Sequence, residues 1–321
     1  MVSARRRLIS ALSVAMLLCG CSTDPSRPRQ DGAAQRIVTP WLTLTGGMLS
    51  PATEPHGIPR PRGAAPVFRP FVSPVSVGIS AGEIYVVDAG ASTVYRVDLA
   101  MNLMTPLTGI FADRTTRLRV GPELSLYILD VAQRRAVRLS RSGQLLASYV
   151  DVNLGRPVDI AVEEKGTHVL VADGLHRQMV AFHPLGRAAF VVHLRGDERN
   201  RVLSIDHFAL GTDAIYISDA SCACVARVAR DGAVLETFGH QLISQAGPIA
   251  VDRHQRVFVA DHFDRSIKVF WHGKLVETVS GAAAGVLQLT DLALTGTTLA
   301  VADAGTARVH LMQIKPPPPG P

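Results

Sequence analysis

Apolar positions along this chain come in short runs of five or six residues closed by polar turns, and one such run keeps returning. Ile84–Asp88, Leu126–Asp130, Val169–Asp173, Ile215–Asp219, Val257–Asp261 and Leu299–Asp303 are apolar stretches that end on an aspartate. The aspartates stand 42, 43, 46, 42 and 42 residues apart. A fixed interval of this size marks a repeat architecture, and it sets the fold before any single residue does.

Within a copy the pattern resolves into four strands. The third copy reads Pro157–Val162, His168–Asp173, Gln178–Phe182 and Ala189–Leu194, and the fifth reads Pro248–Asp252, Arg256–Asp261, Ile267–Phe270 and Lys274–Thr278, with glycine-rich or polar turns between the runs. Four strands per unit, six units in a ring, predict an all-β fold: a six-bladed β-propeller occupying residues 37–314. The sixth copy supplies only Leu289–Leu294, Thr298–Asp303 and Arg308–Ile314 before the proline-rich tail 315–321. A ring must close to protect its edges, so the missing outer strand is expected from the N-terminal side. Thr43-Leu-Thr-Gly46 matches the outer-strand ends Pro106-Leu-Thr-Gly109 and Thr278-Val-Ser-Gly281, which points to Thr39–Thr45. The link 46–73 that follows is long and carries Pro51, Pro55, Pro59, Pro61, Pro66 and Pro70. It is read either as a lid over one face or as a spacer.

The fifth copy, with Pro248-Ile-Ala-Val-Asp252, Val257-Phe-Val-Ala-Asp261 and Ile267-Lys-Val-Phe270, resembles the NHL repeat. The resemblance extends over about residues 75–314; copies one, three, five and six carry it best, while copies two and four lack the leading proline. It implies a propeller whose inner strands surround a channel.

The N-terminus changes where such a propeller is expected. Arg5–Arg7 precede the apolar segment Leu8–Leu18, which is short for a permanent membrane span. Leu18-Cys19-Gly20-Cys21-Ser22 then resembles the lipobox of bacterial lipoproteins. Residues 1–20 are thus expected to be a signal peptide, Cys21 the lipidated residue, and 21–36 a polar tether. An ordinary signal peptide is the alternative. By resemblance, the serine after Cys21 implies an exported lipoprotein that faces the periplasm from the outer membrane. Lys+Arg total 33 against Asp+Glu 27, and Arg5–Arg7 lie in the segment to be removed, leaving 30 against 27. The basic residues are scattered, which excludes a nucleic-acid footprint. The reading is of a monomer.

The repeated aspartates Asp88, Asp130, Asp173, Asp219, Asp261 and Asp303 each begin a turn, where a short carboxylate accepts amide hydrogen bonds, and are assigned a structural role. Aligning the copies on Ile-Ala-Val places Ser76, Arg117, Asp159, His207, Pro248 and Asp291 at one position, at the channel mouth. Six-bladed relatives such as amidating lyases and lactonases carry metal ligands or catalytic acids at such positions. The resemblance therefore offers Asp159, His207 and Asp291 as catalytic groups or as ligands of a divalent cation, calcium or zinc. Arg117, with Ser76, would bind the substrate. Cys222 and Cys224 are read as two packed thiols; a bridge, the alternative, needs a bulge after Asp219. Gly78-Ile-Ser80-Ala-Gly82 spells a nucleophile elbow but is followed by a strand rather than a helix, so it is read as a hairpin turn. Function is expected to be that of a binding or scaffold platform for a protein or cell-envelope ligand, with a metal-dependent lyase or lactonase as the alternative.

Overall fold

A computed structural model describes residues 36–49, 65–80, 82–107 and 109–317. The signal peptide, Cys21, most of the tether and the last prolines lie outside the described residues. The chain first lays down β1 (Val38–Leu44), β2 (Gly46–Leu49) and β3 (Val67–Pro70). Blade one follows with β4 (Pro74–Ser80), β5 (Glu83–Asp88), β6 (Thr93–Asp98) and β7 (Leu103–Leu107). Blade two holds β8 (Arg117–Val120), β9 (Leu126–Asp130), β10 (Arg135–Leu139) and β11 (Leu145–Tyr149). Blade three holds β12 (Pro157–Val162), β13 (Val169–Asp173), β14 (Gln178–Phe182) and β15 (Ala188–His193). Blade four holds β16 (His207–Leu210), β17 (Ala214–Asp219), β18 (Cys224–Ala229) and β19 (Val234–Phe238). Blade five holds β20 (Ala246–Val251), β21 (Arg256–Asp261), β22 (Ser266–Trp271) and β23 (Lys274–Ser280), and blade six β24 (Leu289–Thr295), β25 (Thr298–Asp303) and β26 (Arg308–Ile314).

β1 is the fourth strand of blade six. It runs antiparallel to β26, from Val38 opposite Ile314 to Leu44 opposite Val309, so the ring is closed by the chain's own N-terminal strand. Glu277 of the neighbouring blade five accepts the backbone N–H groups of Ile37 and Val38 at 2.8 and 3.0 Å, which anchors the start of that strand.

Blade packing explains the hydrophobic pattern. The second strands β5, β17 and β21 are buried at every position because both of their faces meet neighbouring blades, whereas outer strand β23 alternates exposed and half-buried. The buried apolar residues divide into clusters that each join two adjacent blades. One sets Val77 and Val86 of blade one against Ala300 and Leu311 of blade six, and another sets Tyr127 and Leu129 of blade two against Ile160 and Val171 of blade three. No blade buries its faces alone, which is why the pattern must repeat around the whole ring.

The link 46–73 differs from the expected loop. Its two ends are strands: β2 lies parallel to β7, with Met48 opposite Leu103, and β3 pairs antiparallel with β2, widening blade one to six strands. The outer edge of β7 offers free backbone groups, and β2 satisfies them while burying Leu49 completely. Gly46 permits this turn: at φ +151°, a Cβ there would lie 2.1 Å from the Arg69 carbonyl oxygen. Residues 50–64 lie outside the described residues.

The repeated aspartates bind two pieces of backbone at once. Asp88 accepts from the amides of Val72 and Ser73, which lead into the inner strand, and from Gly90 and Ala91 of its own turn. Asp173, Asp261 and Asp303 do the same with Gly155 and Arg156, Ser244 and Gln245, and Leu287 and Gln288. Asp219 accepts from the Leu203 amide and the Ser204 hydroxyl. Burial raises the Asp173 carboxyl and the converging amides outweigh it, holding the group down at about 2. Asp130 differs: it is half-buried and accepts the amide of Gln133 in its own turn.

Candidate functional site at the channel mouth

The channel is built by six inner strands whose registers match. Ser76 pairs with Val87, Arg117 with Leu129, Asp159 with Ala172, His207 with Ser218 and Asp291 with Ala302, in each case the residue just before the blade's terminal aspartate. Pro248 lies where the register of blade five slips, between Ala246 and Ile249. The aligned residues therefore occupy one level of the channel.

Two residues further along, the next level reads Gly78, Arg119, Ala161, Ala209, Ala250 and Ala293. Five small side chains and one arginine leave a single way to fill the axis. Arg119 rises from blade two and spans the channel, donating from one terminal nitrogen to Asp291 on blade six at 2.9 Å and from the other to Asp159 on blade three at 3.0 Å. Both aspartates are completely buried. They also stitch neighbouring inner strands together. Asp159 accepts from the Ile160 and Phe208 amides at 2.8 and 3.3 Å. Asp291 accepts from the Val77 and Leu292 amides at 3.1 and 2.9 Å and from the Ser76 hydroxyl. Ser76 in turn accepts the Leu118 amide at 3.0 Å.

The electrostatics follow from this geometry. Burial raises the Asp159 carboxyl, but the Arg119 guanidinium, with His207 and Arg117, outweighs it and holds the group at about 2. Burial opposes the charge of Arg119 too, and the two carboxylates overcome that and raise its pKa further. Of the three expected ligands, Asp159 and Asp291 thus hold a guanidinium between them, and His207 lies beside Asp159 at the mouth. The oxygens of both carboxylates are committed to Arg119 and to N–H or O–H donors, so this residue set does not fit a divalent cation. Sequence reasoning passed over Arg119; the signal was the small-residue level it interrupts.

Two cavities follow the two levels of the channel. The lower channel, about 180 Å³, is lined by Arg119 and the small residues of its level. Above lies the mouth, about 320 Å³, lined by Arg114, Arg117, His207, His262, Gln288 and Thr290 together with Ser73, Val75 and Ala304. Nδ1 of His207 lies 3.4 Å from Asp159 Oδ2 without forming a hydrogen bond, and Nε of Arg117 is buried without a partner. His262, absent from the aligned level, is carried here by the turn after Asp261. Its ring lies against Gly247, where a Cβ would sit 2.0 Å from Nε2. Burial, then the nearby His207, push its pKa down.

Cys222 and Cys224, expected as thiols, form a disulfide. Cys222 belongs to the turn rather than to β18, and Ala223 takes a left-handed φ of +50°, which brings the two Cα atoms to 5.2 Å, inside the bridging range. With Asp219 these cysteines are the one cluster among the described residues whose atoms could converge on a metal, and the bond engages both sulfurs. Ser80 ends β4 in a hairpin to β5, as the turn reading requires.

No protein-family model matches the chain, and no curated protein matches its sequence. Solved structures share the fold. Catalytically inactive virginiamycin B lyase from Staphylococcus aureus with quinupristin superposes with a TM-score of 0.55 at 10% identity, over 76% of this chain and 95% of that one. The WD40 β-propeller domain of Doa1 gives 0.55 at 13% identity, over 75% and 78%. A structural genomics protein of unknown function from Bacteroides thetaiotaomicron gives 0.58 at 11% identity, over 76% and 70%. At these identities the likeness is one of fold.

Proposed function

We propose that the chain is a lipid-anchored, extracytoplasmic propeller of NHL type, serving as a rigid binding platform for a protein or cell-envelope ligand that engages the channel mouth. One observation carries this reading: Arg119 spans the channel axis and ion-pairs with both carboxylates that a reaction would need. Both aspartates are ion-paired with it and hydrogen-bonded, so neither is free as a general acid, a general base or a metal ligand. What faces solvent above them is a polar, cationic cavity suited to binding. The structural neighbours include both a lyase and a WD40 domain, and a fold shared by both licenses neither chemistry. Cys21 would place the platform on the outer membrane facing the periplasm, as a monomer whose partners are the membrane and its ligand, not nucleic acid.

The metal-dependent lyase or lactonase remains the alternative, and it requires Arg119 to give way to a calcium or zinc ion. Elemental analysis of the purified protein, with melting in and out of chelator, separates the two. The platform reading expects no stoichiometric metal and an unchanged melting temperature; a bound ion whose removal lowers that temperature would overturn it. Anchoring is tested separately, since Cys21→Ala is expected to release the protein from membranes, and its retention there would remove the anchor.

A further inference from the structure

The mouth cavity holds donors that the fold leaves unused. Arg114, Arg117, His207 and His262 line it with Gln288 and Thr290, and no acidic side chain does so among the described residues. Arg117 Nε is buried without a hydrogen-bond partner, and His207 Nδ1, also without one, has the Asp159 carboxylate 3.4 Å away. Buried polar groups in folded proteins are paired as a rule, and those left over at a cavity call for an explanation.

The charges around the cavity say what kind of partner fits. Beneath it, Asp159 and Asp291 exceed Arg119 by one negative charge. Arg117 offsets that excess, its charge being among those that hold the Asp159 carboxyl down. Arg114 adds a further positive charge to the lining. Burial and the nearby His207 disfavour the proton of His262, and Asp261 favours it. His207 Nδ1 faces the Asp159 carboxylate at 3.4 Å, and Lys268 lies 3.6 Å from Asp261.

We propose that the mouth is an oxyanion site that takes a carboxylate or phosphate at the end of the ligand. Arg117 supplies the planar guanidinium such groups prefer, its Nε unpartnered at the cavity, and His207 and His262 line the same space. This rests on the platform reading and gives its ligand a chemistry. The volume of about 320 Å³ admits the anion and a short adjoining segment.

The test is titration of the full chain with inorganic phosphate, acetate and, as an uncharged control, glycerol, at constant ionic strength, read from the histidine ring resonances. Saturable binding of at least one oxyanion and none of glycerol is expected. Tighter phosphate assigns a phosphate ligand and tighter acetate a carboxylate. Arg117→Met should weaken binding roughly tenfold, with Arg117→Lys between it and the parent. No saturable binding, or binding indifferent to both Arg117 variants, would overturn the site. Failure here leaves the elemental analysis unaffected, while a stoichiometric metal overturns the platform reading whichever way the titration falls.

Discussion

Replacing Arg119 by leucine removes the one side chain that occupies the channel axis, and the cost can be worked from its contacts. Asp159 is held at about 2 against an ordinary 3.8, and a shift of this size corresponds to about 2–3 kcal/mol favouring the ionised form. Asp291 loses a charge-assisted hydrogen bond of 2.9 Å, a loss of about 1.5–3 kcal/mol. Together these give about 4 kcal/mol, within the range for removing one partner of a buried ion pair. Leucine would leave Asp159 without its counter-charge and with burial dominant, so its folded-state pKa should rise above the unfolded one. The sign of the pH dependence then inverts. In the parent, the Asp159 contribution is present above about pH 4 and lost as pH falls toward 2; in the variant, stability is lost as pH rises through the raised pKa. Urea denaturation across about pH 5 to 8 should therefore show a deficit that grows with pH. The melting temperature at pH 7.5 should drop by roughly 10 °C. Adding Asp159→Asn and Asp291→Asn should recover much of the loss, because no unpaired charge is left buried. A deficit below about 1 kcal/mol, or one independent of pH, would refute the argument.

The blade aspartates give a matched comparison: Asp88→Ala should cost about 2–4 kcal/mol in urea denaturation, because four part-buried amides lose their acceptor, and Asp130→Ala under about 1 kcal/mol. In acid, Asp159 and Asp173, both depressed to about 2, contribute stability above about pH 4 that disappears as pH falls toward 2. Unfolding free energy flat from about pH 7 to 5, then falling, is expected, and a loss centred above pH 5 would contradict it. Alkylation of the denatured, unreduced protein should leave Cys222 and Cys224 unlabelled; label at either would mean the bridge is absent. Glu277→Gln should loosen the closing strand, seen as faster amide exchange at Val38 and at its partner Ile314.

The aligned residues at the channel mouth show how far sequence carries toward a site. Their shared register was readable because Ile-Ala-Val fixes the phase of each inner strand, and a shift by one would turn every apolar side chain outward. Their chemistry was not. Asp159 and Asp291 looked like ligands in waiting, and the residue that claims them, Arg119, comes from a third blade, 40 residues from one and 172 from the other. His262 was equally hidden, brought to the mouth by a turn in a different blade and seated on Gly247. The disulfide escaped for a local reason: two cysteines two apart were placed on an extended strand, and the left-handed turn at Ala223 puts one of them off it.

By itself the sequence determined the ring, its six blades, the role of the closing strand and the strand-end position of each aspartate. Those follow from period and alternation, which are properties of neighbouring residues and of blades that must bury both faces. Only the tertiary structure decided which charges meet on the axis, that β2 and β3 extend blade one, and that the mouth is left with unpaired cationic donors. Side chains from blades far apart in the chain converge on a common centre there, and the pairing among them is set by reach and by burial, which no repeat pattern encodes.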